Sequence, residues 1–222
     1  DKDLDKKVSR TKNRPIASKK ISVGRSFFYV VILCLLSFLI LLQFNILTIL
    51  LGMGSMFLAF SYPFMKRITY WPQLFLGLTF NWGIIMAWAS IMNFISIEIL
   101  ILYLAAIFWT LGYDTIYGVQ DIEDDEIIGL KSTSIKFKNK IKPFVILCYL
   151  LATTLSATLF FDKMNFLLSL LIFLIFVYSL FNQINIFNTK NPQSCLKAFK
   201  SNNFSGLFLF FSFLMLSINL GV

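Results

Sequence analysis

The stretch from Tyr113 to Thr133 reads YDTIYGVQDIEDDEIIGLKST and follows directly on a long apolar run. Its polar residues Asp114, Tyr117, Asp121 and Asp125 are spaced at i, i+3, i+7 and i+11. Because a helix turns by about 100° per residue, the spacing predicts one polar face on a helix that leaves a membrane. Carboxylates on one face repel one another unless a cation lies among them. Mg²⁺ is the natural candidate because it prefers oxygen ligands.

Apolar blocks around this stretch set the fold class. Of 222 residues, 58% are hydrophobic, which is more than a soluble domain of this size needs. Each block is roughly 17–20 residues long, close to the length that spans a bilayer. In lipid, backbone groups must be satisfied within the segment, so the blocks are predicted to be helices. The fold class is therefore all-α, a polytopic membrane helical bundle. The seven predicted spans are Phe27–Asn45, Ile46–Tyr62, Leu74–Met92, Ile95–Tyr113, Phe144–Phe161, Met164–Phe181 and Phe204–Leu220.

The charged residues predict the orientation of these spans. If the segment before Phe27 faces the cytoplasm, the connections Tyr62–Gln73, Tyr113–Pro143 and Asn182–Asn203 face it too. These four regions hold 19 of the 20 Lys and Arg residues, with Lys163 the exception, and nine of the eleven acidic residues. This is the positive-inside pattern. The net charge of +9 is therefore attributed to topology and anionic lipid headgroups, and no nucleic-acid partner is expected.

The residue types that the chain lacks narrow its chemistry. It contains no histidine, which excludes His-ligated haem, His-based metal sites and His general bases. Cys34, Cys148 and Cys195 form no CxxC spacing, so neither a disulfide framework nor a zinc site is predicted. Any chemistry must be performed by carboxylates, Lys, Arg, Tyr, Asn and a bound metal ion.

The amino terminus carries a second acidic element. The chain opens DKDLDKKVSRTKNRPIAS, with Asp1 and Asp5 at i and i+4 and a dense basic run that continues to Arg25. Taken alone, such a run is typical of a solvated juxtamembrane segment. The chain starts inside an acidic cluster without an initiator methionine, so we expect it to be a fragment of a longer protein.

The two acidic elements together resemble those of the UbiA superfamily of intramembrane prenyltransferases, which carry NDxxDxxxD and DxxYxxxDxxxD. Asp1 and Asp5 match the last two carboxylates of the first motif. The second motif matches at each defined position, namely Asp114, Tyr117, Asp121 and Asp125. The resemblance implies that residues 1–222 form a single membrane domain. It would contain seven of the family's nine helices and lack the first helix and most of the second.

Two further segments narrow the resemblance. Tyr62–Trp88, YPFMKRITYWPQLFLGLTFNWGIIMAW, and Asn191–Gly206, NPQSCLKAFKSNNFSG, resemble the 4-hydroxybenzoate polyprenyltransferases, and Tyr62 and Lys66 fit their YxxxK element. The resemblance implies Mg²⁺-dependent transfer of a polyprenyl group from polyprenyl diphosphate to 4-hydroxybenzoate, a step of ubiquinone biosynthesis. The enzyme would lie among membrane lipids of the bacterial cytoplasmic (inner) membrane, with the mitochondrial inner membrane as the alternative.

The resemblance also implies roles for the acidic residues. Metal and diphosphate binding is assigned to Asp1, Asp5, Asp121 and Asp125. Asp114 lies one to two turns nearer the membrane and would orient the acceptor hydroxyl or take its proton. Tyr117 would hydrogen-bond the diphosphate or shield the developing cation with its ring.

Basic residues complete the predicted site. Lys66 and Lys131 are assigned to diphosphate binding. Arg67 is assigned to the carboxylate of the acceptor, because the planar guanidinium matches a carboxylate better than an ammonium does. Lys66 and Arg67 are also explained as ordinary residues of a positive-inside face.

Two alternatives remain open at this point. One is a UbiA-type transferase with another acceptor, homogentisate or a naphthoate, although the segment Tyr62–Trp88 argues against it. The other is a cation transporter whose acidic rows bind the ion directly. A transporter predicts charged residues at the midplane of the spans, and none of the seven predicted spans has one there.

Overall fold

The structure of the protein, a computed structural model, describes residues 2–6, 11–160 and 166–218, and this part of the chain is helical without a strand. It also contains a 3₁₀ turn, Val119–Asp121. The helices are α1 Lys2–Asp5, α2 Val23–Leu41, α3 Ile46–Ile68, α4 Pro72–Phe80, α5 Trp82–Met92, α6 Ile97–Gly118, α7 Ile122–Ile127, α8 Thr133–Lys136, α9 Ile141–Thr158, α10 Phe166–Ile186, α11 Pro192–Lys200 and α12 Asn202–Ile218.

Short polar residues start the long apolar helices. The side chains of Ser22, Asn45 and Ser96 each accept a hydrogen bond from the backbone N–H three residues later, at 3.3, 2.9 and 3.4 Å. Such caps satisfy amide groups that a helix leaves without a partner at its start. Asn45 also donates to the carbonyl oxygen of Ala89 at 2.7 Å, which ties the start of α3 to the end of α5.

The membrane helical class is confirmed, but the count of seven spans is not. In the described part of the chain, six helical segments are long and apolar enough to cross a membrane. The last predicted block, Phe204–Leu220, corresponds to α12, which is described over only 17 residues. The six segments are Val23–Leu41, Ile46–Ile68, Pro72–Met92, Ile97–Ile127, Ile141–Thr158 and Leu167–Ile186.

Two boundaries differ from the prediction in a way that matters for the site. Helix α3 continues past Pro63 to Ile68, so Lys66 and Arg67 lie in its last turn rather than in a loop. Cations are favourable there because the carboxyl end of a helix carries partial negative charge. Helix α6 likewise continues to Gly118. Hydropathy falls where a helix enters water, but the backbone hydrogen bonds of the helix continue beyond that point. A boundary predicted from hydropathy therefore ends the helix too early.

Helix α6 is the most buried of the described helices and packs against α4, α9 and α11. Glycine permits two of its close contacts. A Cβ at Gly112 would lie 2.5 Å from the ring of Tyr149 on α9, and a Cβ at Gly77 on α4 would lie 3.2 Å from the carbonyl oxygen of Ile107. Close packing on both sides holds α6 firmly, and α6 carries the first residues of the acidic stretch.

A network of hydrogen bonds joins α6 to three other helices, α9, α10 and α12. The Tyr149 hydroxyl donates to Oε1 of Gln183 at 2.6 Å, and Nε2 of Gln183 donates to Oδ1 of Asn202 at 3.1 Å. The Trp109 indole N–H donates to the same Asn202 oxygen at 3.0 Å. Polar side chains buried among membrane helices link the helices in this way. The network fixes the indole of Trp109.

Candidate active site

The acidic stretch does not form the single continuous helix that its spacing predicted. After α6 ends at Gly118, the 3₁₀ turn intervenes, and Asp121 has φ −107° and ψ 0° before α7 begins. These angles lie in the bridge region between helical and extended backbone. The side chains of Asp114, Tyr117, Asp121 and Asp125 nevertheless line one cavity of about 230 Å³.

This cavity adjoins a second one of about 390 Å³, and we refer to the two parts together as the polar cavity. The smaller part adds Asp5, Thr11, Tyr117 and Asp121 to the shared residues, whereas the larger part adds Lys131. The smaller part is therefore acidic and the larger part is richer in cations. The residues that line both parts are Arg14, Tyr62, Lys66, Gln73, Asp114, Asp125 and Ser132.

Most of the predicted site residues meet in the polar cavity. Asp5, Lys66, Asp114, Tyr117, Asp121, Asp125 and Lys131 all line it. Arg67 does not: its side chain is exposed and lines neither part, because consecutive residues of a helix point about 100° apart. Its assignment to the acceptor carboxylate stays a prediction. Asp1 lies outside the described residues.

An ion pair at the amino terminus brings a further residue into the site. Nη1 of Arg14 lies 3.0 Å from Oδ1 of Asp5 and 3.2 Å from Oδ2, and Thr11 donates its hydroxyl to the Asp5 carbonyl oxygen at 2.9 Å. Arg14 lines both parts of the polar cavity. The sequence did not single it out, because Arg14 is one of many basic residues ahead of the first span.

The loop between α7 and α8 closes one side of the polar cavity. It turns at Gly129, whose φ of +74° is a conformation that glycine adopts freely. The Lys131 backbone N–H then donates to the Lys66 carbonyl oxygen at 2.8 Å, and its Nζ donates to the Ile68 carbonyl oxygen at 3.1 Å. The Thr133 N–H donates to Oε1 of Gln73 at 2.9 Å. The loop thus joins the end of α3 to the start of α4.

The donor set of the polar cavity fits a hard divalent cation, but the carboxylates do not converge on one point. Among the described residues, no three carboxylate or thiol groups lie close enough to hold one ion between them. The predicted site of Asp5, Asp121 and Asp125 is therefore not assembled as a protein-only cage. Mg²⁺ in phosphate-transferring sites is commonly held by one or two carboxylates together with substrate phosphates and water, so such a cage is not needed.

An apolar cavity of about 380 Å³ lies between α5, α6, α9, α10 and α12. A row of half-buried rings connects the two cavities along α6. Ring centroids are 5.9 Å apart for Trp109 and Tyr113, 5.7 Å for Tyr113 and Phe199, and 4.5 Å for Phe199 and Tyr117. The lining of the apolar cavity is Asn81, Ile84, Leu102, Ala105, Ala106, Trp109, Ala152, Ser156, Phe176, Gly206, Leu209, Phe210 and Phe213.

Cys195 on α11 is close in sequence to Phe199 but takes no part in the site. Its thiol is fully buried and donates to the Asn188 carbonyl oxygen at 3.4 Å. Burial raises the pKa of the Cys195 thiol, so the reactive thiolate is disfavoured. We conclude that Cys195 packs α11 in place.

Comparison with known proteins places this geometry in context. The model of the UbiA prenyltransferase family matches residues 1–214. The mitochondrial 4-hydroxybenzoate polyprenyltransferase of Homo sapiens is 49% identical over 146 residues, which cover 65% of this chain and 39% of the human protein. The 4-hydroxybenzoate octaprenyltransferase of Francisella tularensis subsp. novicida is 40% identical over 216 residues, which cover 95% of this chain and 74% of that protein.

Two solved structures share the fold at 19% sequence identity. A UbiA homologue from Aeropyrum pernix K1, solved without ligand, superposes with a TM-score of 0.79 over 96% of this chain and 80% of its own. A UbiA homologue from Archaeoglobus fulgidus, bound to GPP and Mg²⁺, gives a TM-score of 0.71 over 98% and 80%. At this identity the similarity concerns the fold.

Proposed function

The chain belongs to the UbiA prenyltransferase family, and from that membership we propose that it transfers a polyprenyl group from polyprenyl diphosphate to the ring of 4-hydroxybenzoate. One observation carries the proposal: a cavity lined by carboxylates and cations is joined by a row of aromatic rings to an apolar cavity. A diphosphate fits the first cavity and a hydrocarbon tail fits the second. The names of the human and Francisella relatives support the acceptor.

The first chemical step is heterolysis of the bond between the allylic carbon and the diphosphate oxygen, with the electron pair leaving on the diphosphate. Lys66, Lys131 and Arg14 line the larger part of the polar cavity and would donate charge-assisted hydrogen bonds to the leaving oxygens. A Mg²⁺ ion held by Asp5, Asp121 and Asp125, with Asp1, would supply Lewis-acid stabilisation of the same charge.

The second step forms a bond between a ring carbon of the acceptor and the allylic carbon. Tyr117 places an aromatic ring in the wall of the polar cavity and would stabilise positive charge on the prenyl group through its face. The ring carbon then loses its proton. Asp114 lines both parts of the cavity and lies on the long apolar helix α6, ahead of Asp121 and Asp125, so we assign to its carboxylate the acceptance of that proton.

The apolar cavity would hold part of the prenyl tail and keep water from the reactive cation. Its wall contains Gly206 on α12, where an added Cβ would lie 3.2 Å from the Trp109 indole. A larger side chain at Gly206 therefore fills the cavity.

We predict that Gly206→Leu lowers kcat/KM for long polyprenyl diphosphates more than for geranyl diphosphate. The ratio of kcat/KM for the long donor to kcat/KM for the short donor should fall by roughly tenfold. The short donor needs less of the cavity, so it loses less when the cavity is filled. Gly54→Leu on α3 is the matched control, because nothing lies within 4 Å of a Cβ there. An equal loss with both donors, or the same change in ratio in Gly54→Leu, would contradict this placement of the tail.

Lys66 and Arg67 are adjacent cationic residues on α3 whose predicted roles, diphosphate binding and acceptor binding, can be tested separately. Lys66 lines both parts of the polar cavity, whereas Arg67 lines neither. We expect Lys66→Ala to raise the KM for prenyl diphosphate by about 10- to 100-fold, because a hydrogen bond to a charged group is lost. Arg67→Ala tests the assignment from the sequence: the KM for the acceptor rises if Arg67 binds its carboxylate. Unchanged acceptor KM in initial-rate measurements removes Arg67 from the site.

The test of the proposed acceptor is competition. Purified protein in lipid vesicles is given one prenyl diphosphate, Mg²⁺, and equal amounts of 4-hydroxybenzoate, homogentisate and a naphthoate. The proposal expects prenylated 4-hydroxybenzoate as the main product in mass spectrometry. A main product from another acceptor would support prenyl transfer but contradict 4-hydroxybenzoate as the acceptor.

We further propose that the polar cavity faces the cytoplasm at the bacterial inner membrane. The basic residues cluster in the connections on the same side as the acidic motifs, and basic connections face the cytoplasm.

A further inference from the structure

Gln73 is a buried residue of the site that the predicted roles do not use. It follows Pro72 at the start of α4, is only 7% exposed, and lines both parts of the polar cavity. A buried amide side chain normally has hydrogen-bond partners for both its oxygen and its nitrogen.

The contact with Thr133 fixes which way the Gln73 amide points. The backbone N–H of Thr133 lies 2.9 Å from the Gln73 side chain, and a backbone N–H can only donate. The atom that faces Thr133 must therefore be the carbonyl oxygen Oε1, and the opposite orientation would set two donors against each other. Nε2 is consequently held on the other side of the amide, with its direction determined by the fold.

The Thr133 N–H thus satisfies the oxygen of Gln73, and Nε2 is the other polar atom of the amide. Within residues 2–6, 11–160 and 166–218, the structure shows no hydrogen bond from Nε2. Gly118 lies close to this nitrogen, since a Cβ added at Gly118 would lie 3.3 Å from Nε2 and 2.5 Å from Oγ of Ser134. Two N–H groups of a buried, rigid amide are therefore available at the wall of the polar cavity.

We propose that Nε2 of Gln73 donates a hydrogen bond to a phosphate oxygen of the diphosphate group. Gln73 lines the larger part of the polar cavity together with Arg14, Lys66 and Lys131, which makes that part a site for an anion. A neutral donor of fixed direction adds orientation that flexible lysines do not supply. Its hydrogen bond strengthens as negative charge develops on the leaving group. This inference rests on the proposed function for the identity of the anion.

Gln73→Glu tests the proposal with little change of shape. A glutamate keeps an oxygen that accepts from the Thr133 N–H, but it replaces the donor with a second oxygen that repels an anion. The probe is inorganic diphosphate with Mg²⁺, titrated calorimetrically into purified protein in detergent. We expect Kd to rise by about 10- to 100-fold. Gln193→Glu is the matched control, because Gln193 is exposed and lines neither part of the polar cavity.

A second variant separates the missing donor from simple charge repulsion. Gln73→Met is neutral and of similar size, and it also lacks the donor, so we expect it to raise Kd by a smaller but measurable factor of about 5 to 20. Melting temperatures of all variants, measured without ligand, identify any loss of folding. Wild-type affinity in Gln73→Glu would overturn the proposal. So would a rise only in the KM for the acceptor, because Nε2 would then bind the acceptor.

The binding test also stands apart from the proposed activity. If the wild-type protein binds diphosphate through Gln73 but transfers no prenyl group to any acceptor, the proposed function fails and the role of Gln73 remains. If the wild-type protein transfers the prenyl group and Gln73→Glu binds diphosphate normally, only the role of Gln73 fails.

Discussion

Asp125→Asn is expected to lower kcat/KM for prenyl transfer by about 10²- to 10³-fold, or roughly 3–4 kcal/mol of transition-state stabilisation. Asp125 lines both parts of the polar cavity, between the acidic part and the cationic part. Asparagine keeps the shape of the side chain and removes its charge. The change therefore weakens the hold on a metal–diphosphate complex, whose charge increases as the allylic bond breaks.

The control for this substitution lies two residues earlier. Glu123 belongs to the same helix α7 but is exposed and lines neither part of the cavity. Glu123→Gln removes one negative charge from the same helix and should change kcat/KM by less than about threefold, as exposed charges contribute little. Equal losses in the two variants would show that Asp125 acts through the overall negative charge of α7 and not through a contact in the polar cavity.

Removing divalent cations is expected to lower the transfer rate by at least about 10³-fold, and added Mg²⁺ or Mn²⁺ should restore it. The carboxylates of the polar cavity do not form a complete cage, so the ion should bind weakly alone and more tightly with diphosphate. The measurement is the initial rate in EDTA-treated vesicles over a series of Mg²⁺ and prenyl diphosphate concentrations. Undiminished transfer in excess EDTA would show that the reaction does not need a divalent cation.

Much of the fold could be predicted from the sequence because the bilayer sets strict limits. Apolar blocks of bilayer length and the clustering of basic residues between alternate blocks predicted the membrane helices and placed the acidic elements near one another. The sequence predicted one continuous span, Leu74–Met92, and missed the break between α4 and α5 at Asn81. The Asn81 side chain donates to the Gly77 carbonyl oxygen at 2.9 Å and to the Thr110 hydroxyl at 2.8 Å. The hydropathy of a segment does not depend on such contacts, so it could not reveal the break.

The sequence predicted that several carboxylates lie together, and the structure agrees on their position for the described ones, while their roles stay predictions. The periodic spacing of Asp114, Tyr117, Asp121 and Asp125 brought them to one cavity even though a 3₁₀ turn interrupts the helix. Arg67 was assigned to the acceptor carboxylate for its chemistry, but its exposed side chain lines neither part of the polar cavity, so its role stays a prediction. Gln73 and Arg14 were not assigned to the site, because their positions at the cavity depend on contacts with Thr133 and Asp5 that the sequence does not reveal.

The proposed reaction releases diphosphate in the polar cavity as the prenyl group is transferred to an aromatic ring. The most direct measurement is one reaction in which both products are counted, with wild-type and Asp125→Asn proteins in matched vesicles. We expect one diphosphate per prenylated 4-hydroxybenzoate, whose mass is that of the acceptor plus the prenyl group less one hydrogen. In the variant we expect both products to be lost together. Diphosphate released by the wild-type protein without prenylated product, or product formation unaffected by Asp125→Asn, would contradict the proposed reaction.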